Sequence, residues 1–238
     1  MPTLRTALCL LFGLLALGPA PVQAGPLPAL GLKERQGWVA VGLVNSAGYR
    51  TRASCTGTLI APDLVVTAAH CAGGTPHFVA GWDRGSFAAH RRSVEALLHP
   101  NYQGADGNDR FRHDIAVLRL DEPIATRNIL PVPLSDQAAL RVGALTVLGY
   151  HRKRPHVLNG RADCPTLSDP RQPVLLLGCE VISGNSGGPV LVPVGDAWTL
   201  VAVVAGRVGG DAPRALAVPV DDWLMDQWRA AMDRAAAR

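Results

Sequence analysis

The chain has 238 residues and a net charge of +4, with 48% apolar and only 18% charged residues; that balance excludes intrinsic disorder and leaves enough apolar side chain for one large core or two small ones. Its 25 glycines and 19 prolines exceed average usage, which argues against long helices, and no third-residue glycine period suggests collagen. The positive charge is mild and scattered, so nucleic acid is not expected as a partner.

Arg5 precedes an apolar run, ALCLLFGLLAL at 7–17, which Gly18, Pro19 and Pro21 end before Val22-Gln23-Ala24, a small-residue cleavage site. The run is too short for the roughly 20 residues a bilayer requires. Residues 1–24 are therefore expected to be a signal peptide, and the protein to be secreted or periplasmic, with no membrane association once the signal is removed. Export makes the cysteines informative. Cys9 leaves with the signal, and Cys55, Cys71, Cys164 and Cys179 remain, an even number in an oxidising compartment. Three pairings are possible. The sequence gap between the two pairs favours Cys55–Cys71 and Cys164–Cys179, each worth about 3 kcal/mol by loop entropy. No C-x-x-C spacing suggests zinc, and no metal or other cofactor is expected.

Residues 25–35 form a proline-rich, then charged, lead-in or pro-segment. From Trp38 the chain becomes a series of short apolar runs: WVAVGLV, CTGTLI, LVVTAAH, HFVAGW, SVEALLH and IAVLRL. Gly, Pro, Asn and Asp separate them, which is the pattern of β-strands. A connector over 123–140 contains Pro123, Pro131 and Pro133. Strand-like runs resume with ALTVLGY, PVLLLGC, PVLV and WTLVAVVAG. Two β-rich units are thus expected, over 36–122 and 141–220. The last segment, 221–238, changes to helical period: Leu224, Trp228, Ala231, Met232 and Ala235 share one face, with Asp221 or Asp222 as N-cap. The single basic run, Arg152-Lys153-Arg154, is expected to be a solvated loop.

Three stretches combine a reactive side chain with the backbone it needs. In Thr67-Ala68-Ala69-His70-Cys71 a histidine follows an apolar strand beside a bridged cysteine. In His113-Asp114-Ile115-Ala116 an aspartate enters a hydrophobic strand, where a histidine N–H would stabilise it. In Gly184-Asn185-Ser186-Gly187-Gly188-Pro189 glycines on both sides of a serine permit a tight turn that aims backbone N–H groups at one point. Singly, each has an ordinary structural explanation; together, in the order His, Asp, Ser on an exported β-rich chain, they point to nucleophilic catalysis.

TAAHC, DIAVLRL and GNSGGP resemble the three active-site segments of the chymotrypsin/trypsin-like serine proteases, and the short spacing from Asp114 to Ser186 is similar to that of the compact bacterial members. The resemblance implies an all-β fold of two antiparallel six-stranded β-barrels with the active site in the cleft between them, plus the C-terminal helix. It also implies a serine endopeptidase acting on protein or peptide substrates, expected here as a monomer. Ser186 would be the nucleophile, His70 the general base and acid, and Asp114 the group that orients the histidine. The backbone N–H groups of Gly184 and Ser186 would form the oxyanion hole. A protease-fold protein that binds a partner without cutting it is the rival expectation.

The sequence departs from the family pattern in two places. Asn185 stands where trypsin-like zymogens carry an aspartate that pairs with a newly cut N-terminus, and no Ile-Val-Gly-Gly start is present, so activation without a freed amine is expected. The residue six before the nucleophile, Glu180, would form the floor of the primary specificity pocket, with Val204 and Gly206 in its wall, implying a preference for Arg or Lys. Small or apolar residues are the alternative. The wall has none of the histidine that glutamyl endopeptidases tend to place there, which argues against an acidic preference.

Overall fold

Twelve strands and two helices organise residues 25–50, 54–135, 145–210 and 213–237, the part of the chain described by this computed structural model. The expected signal peptide at 1–24 and the end of the connector, 136–140, lie outside the described residues. Strands β1 (Val41–Asn45), β2 (Cys55–Ala61), β3 (Leu64–Thr67), β4 (His77–Ala80), β5 (Ala89–Leu98) and β6 (Ala116–Leu120) form a closed antiparallel barrel in the order β1-β2-β3-β6-β5-β4. Strands β7 (Leu145–His151), β8 (Arg154–Cys164), β9 (Leu175–Glu180), β10 (Pro189–Val194), β11 (Ala197–Val208) and β12 (Arg214–Pro219) form a second six-stranded antiparallel sheet, ordered β8-β7-β10-β11-β12-β9. The apolar runs recognised in the sequence supply ten of these strands. β8 and β12 escaped the pattern because RPHVLNGRADC alternates weakly around Pro155 and Gly160, and RALAVP is short and alanine-based. Pairing with β7 and β11 makes strands of them, as tertiary context commonly does where intrinsic propensity is weak. Within the basic run, Arg152 and Lys153 form the turn of the β7–β8 hairpin and Arg154 opens β8.

The second sheet differs from the expected barrel in one respect: no ladder joins β8 to β9, so it is a half-barrel with a seam. Open edges leave N–H and C=O groups without strand partners, and the lead-in fills part of this gap. Ala29 bridges Asn159 of β8, and Pro26 bridges Glu180 of β9. The Leu30 N–H donates to the Leu158 carbonyl (3.1 Å), and the Gly160 N–H donates to the Pro28 carbonyl (2.9 Å). Between these contacts Leu27 is completely buried in the second core, with Leu145, Leu175 and Val190. The Cys164–Cys179 disulfide ties β8 to β9 across the same seam. Residues 25–30 are therefore a strap laid into the sheet. A short helix α1 (Leu32–Gly37) follows it.

His151 pins the strap. Its Nε2–H donates to the Leu27 carbonyl (3.1 Å), while Nδ1 accepts from the Arg154 N–H (3.3 Å), an arrangement only the neutral ring can make. Burial lowers the His151 pKa below its ordinary 6.5, and burial likewise lowers those of His90 and His99. For each, the unfolded chain takes up the proton first, so the stabilisation is present above the unfolded pKa and is lost as pH falls below about 6.5. The melting temperature should accordingly fall between pH 7.5 and pH 5. Calorimetric scans across that range would show it, and His151→Gln should flatten the slope. A melting temperature independent of pH in this window would contradict the assignment.

Helix α2 (Asp222–Ala236) closes the described chain. Its N-cap is Asp221, whose Oδ1 accepts from the Leu224 N–H (2.9 Å) while its other oxygen lies 3.0 Å from His99 Nε2 at the end of β5. Leu224 and Ala231 enter the core of the first barrel, and the Trp228 indole donates to the Ile60 carbonyl of β2 (2.8 Å). Met232, assigned to the same face from period alone, is 43% exposed. Four residues after Trp228 and one after Ala231, it sits at the margin of the buried stripe.

Candidate active site

His70 lies in a 3-10 turn, Ala69–Cys71, directly after β3. The disulfide from Cys71 to Cys55, at the start of β2, fixes that turn against the barrel. Asp114 precedes β6, and because β6 pairs with β3 with Ala116 opposite Thr67, the two side chains are brought together. The His70 Nδ1–H donates to Asp114 Oδ2 (2.7 Å), and the His70 backbone N–H donates to Oδ1 (2.9 Å). Both oxygens of this buried carboxylate are thereby used in charge-assisted bonds. With the proton on Nδ1, the neutral ring carries a lone pair on Nε2. The His70 side chain is 40% exposed, so that lone pair is open to a reactant.

Ser186 projects from the loop between β9 and β10. Two glycines shape this loop: Gly184 has φ +106° and Gly187 has φ +80°, and a Cβ on Gly187 would lie 2.0 Å from the Thr56 carbonyl oxygen. The N–H groups of Asn185, Gly187 and Gly188 are taken by the carbonyls of Ile182, Val204 and Asn185. Those of Gly184 and Ser186 are not taken by any described residue. Two free donors beside a serine hydroxyl can stabilise an oxyanion. The His70 ring makes no hydrogen bond to Ser186; nucleophile–base contacts of this kind are often long without substrate and tighten when it binds.

Two residues whose positions matter were given no role, or a different one, from sequence. Thr56, in β2 of the first barrel, is completely buried and reaches across to the serine loop. Its N–H donates to the Ser186 carbonyl (2.7 Å) and its hydroxyl to the Gly184 carbonyl (2.8 Å), while the same hydroxyl accepts from the Tyr150 N–H (2.9 Å). The only signal was a polar residue at a core position of CTGTLI, which pattern alone cannot tell from an ordinary strand threonine. Asn185 is also completely buried. Its Oδ1 accepts from the Ile182 N–H (2.9 Å) and its amide donates to the Tyr150 carbonyl (3.1 Å), so the loop is braced from within. Thr56→Val removes the hydroxyl at nearly constant shape and leaves the Tyr150 N–H and Gly184 C=O unpaired, a cost of about 1–3 kcal/mol. A lower melting temperature is expected, together with a lower kcat at similar KM, and Thr56→Ser should restore both.

A cavity of about 110 Å³ adjoins Ser186, lined by Val181, Ile182, Ser183, Asn185, Val204, Gly206 and Arg207. Val204 and Gly206, expected in the wall of the specificity pocket, are among these lining residues. Glu180 does not line this cavity. It ends β9, in register with Arg214 of β12, and bridges Pro26 of the strap. Among the described residues no helix is long and apolar enough to cross a membrane.

A family model described as Trypsin matches residues 33–224. Over 225 residues the chain is 28% identical to vitamin K-dependent protein C of Rattus norvegicus, covering 77% of this chain and 47% of that protein. It is 27% identical over 163 residues to a trypsin of Saccharopolyspora erythraea, covering 58% of this chain and 70% of that one. The chain spans less than half the length of the rat protein. Among solved structures, a thermostable serine protease AL20 from an extremophilic microorganism superposes with a TM-score of 0.64 at 16% identity, covering 82% of this chain and 97% of that one, a likeness of fold. With a family match over most of its length and two six-stranded antiparallel sheets of the same architecture, this chain belongs to the trypsin family of serine proteases.

Proposed function

We propose that the protein is an exported serine endopeptidase that cleaves protein or peptide substrates through an acyl-enzyme. Two observations support this: a histidine held by a buried aspartate on the first barrel, and, bonded to that barrel through the Thr56 N–H, a serine flanked by two backbone N–H groups that no described residue takes. His70 Nε2 takes the Ser186 hydroxyl proton as the oxygen attacks the scissile carbonyl carbon. The Nδ1–H bond to Asp114 keeps the ring in the required tautomer and stabilises the imidazolium that forms. The carbonyl oxygen, now negative, accepts from Gly184 and Ser186; such a donor is worth about 3 kcal/mol in the transition state. His70 then gives its proton to the leaving amine, and water repeats the sequence in reverse to free the acyl group.

Substrate would lie along β11. Beyond Val204, which bonds to Gly187 and Gly188, the edge of β11 facing Ser186 has no partner strand among the described residues. An extended peptide could pair there, as strand addition requires. The basic preference expected from Glu180 has no support in the lining of the adjacent cavity.

The absent His70–Ser186 hydrogen bond is the one observation favouring the rival reading, a protease-fold binding protein. Labelling with a fluorophosphonate separates the two, because only an activated serine reacts. Labelling of the wild type but not of Ser186→Ala is the expected result, and an unlabelled folded wild type would favour the binding protein.

A further inference from the structure

The cavity beside Ser186 has one charged side chain in its lining, and it is a cation. Val181, Ile182 and Val204 give it apolar walls, Ser183 adds a hydroxyl, and Arg207 carries the only formal charge among the described residues. Arg207 follows Gly206 on β11, opposite Ala215 of β12. It is exposed and makes no ion pair or side-chain hydrogen bond with any described residue. Eight other arginines do have carboxylate partners: Arg35, Arg91, Arg92, Arg112, Arg119, Arg171, Arg229 and Arg234. A second cavity, of about 320 Å³, is lined by Val208 of the same strand and by Phe111, and among the described residues its one charged lining residue is again an arginine, Arg112. Among the described residues, no carboxylate lines either cavity.

Resting on the endopeptidase reading, we infer that Arg207 is a specificity-determining residue that selects an acidic side chain, Asp or Glu, immediately before the scissile bond. When the scissile carbonyl sits between the Ser186 hydroxyl and the two free N–H groups, the side chain on its acyl side is the part of the substrate nearest the cavity that Ser186 itself lines. The apolar walls remove water from the stem of that side chain. Its carboxylate then finds a guanidinium whose planar fork donates to both of its oxygens at once, with no carboxylate of a described residue in the lining to compete. An Arg or Lys in the same place would face like charge with no compensating anion. The cation that makes this choice lies one residue beyond the Val203–Gly206 wall segment, so a search of that segment for a histidine passes over it.

The test uses one peptide series varied only at the residue before the scissile bond: Glu, Asp, Gln, Ala, Leu and Arg. For the wild type we expect kcat/KM for Glu to exceed that for its isostere Gln by about tenfold or more. In Arg207→Gln the Glu/Gln ratio should fall to near one, in Arg207→Lys it should be partly kept, and in Arg207→Glu the Arg peptide should become the better substrate. Melting temperatures establish that each variant is folded. A wild type that cleaves the Gln, Ala or Leu peptides with no preference for Glu, or a ratio unchanged in Arg207→Gln, overturns the role of Arg207 and leaves the endopeptidase reading standing. A wild type that neither cleaves any peptide nor labels with a fluorophosphonate overturns both.

Discussion

Ser186→Ala should lower kcat by a factor on the order of 10⁶ while leaving the melting temperature nearly unchanged. Groups that act as one unit are lost together: without the hydroxyl there is nothing for His70 to deprotonate, so the remaining dyad contributes little. His70→Ala should cost about as much, because the serine then attacks without a base. Asp114→Ala should cost less, on the order of 10⁴, since the imidazole remains but loses its tautomeric control. The three variants differ in stability as well. Asp114 accepts two hydrogen bonds in a buried site, so its loss leaves the His70 N–H groups unpaired, whereas Ser186 bears no structural contact through its side chain among the described residues. Single-turnover kinetics with an activated ester would separate the acylation defect from binding. Wild-type rates in Ser186→Ala would falsify the mechanism outright.

Removing residues 25–35, so that the chain starts at Gln36, should unfold the second sheet. The strap supplies a completely buried leucine, two β-bridges and two backbone hydrogen bonds at a seam that the sheet does not close for itself. Leu27→Ala alone should cost about 2–5 kcal/mol, the range for deleting a buried leucine side chain and leaving a cavity. The full deletion also exposes the edges of β8 and β9, an invitation to aggregate. Thermal unfolding and size-exclusion profiles of the Gly25 and Gln36 starts would measure this. A short tag ahead of Gly25 distinguishes a structural strap from a pro-segment. Asn185 is satisfied by Ile182 and Tyr150, so on the proposed reading the tagged protein should keep its activity. Full activity and stability in the Gln36 start would show the segment to be dispensable.

The candidate site residues stand out in the sequence because each sits in a local motif whose backbone demands are written in its neighbours: Cys71 beside His70, an apolar strand after Asp114, glycines around Ser186. Their assembly was legible only through family resemblance, since pairing of β3 with β6 is a long-range fact. Thr56 was hidden for the opposite reason. Its role depends on what crosses from the other sheet, and a threonine in a strand has no local mark of that. The place of Glu180 was not legible either: counting back six residues fixes a sequence position, whereas its pairing with Arg214 of β12 and its absence from the lining of the cavity beside Ser186 are long-range facts. The seam in the second sheet could not be seen at all. A proline-rich lead-in has no periodicity, and its one buried leucine looks like any other.

The placing of the chain's two flanks has a thermodynamic consequence. The strap at 25–30 precedes the first barrel yet is built into the second sheet, and α2 follows the second sheet yet is rooted in the first barrel through Leu224, Ala231 and Trp228. Each half is therefore finished by a piece that is covalently continuous with the other. Neither can melt without tearing out part of its neighbour, so the protein should behave as one cooperative unit, with a calorimetric enthalpy equal to its van't Hoff enthalpy. Expressed separately, the halves would each lack a component of their own core. The boundary at the connector divides the sequence, but it marks no line along which the folded molecule can be divided.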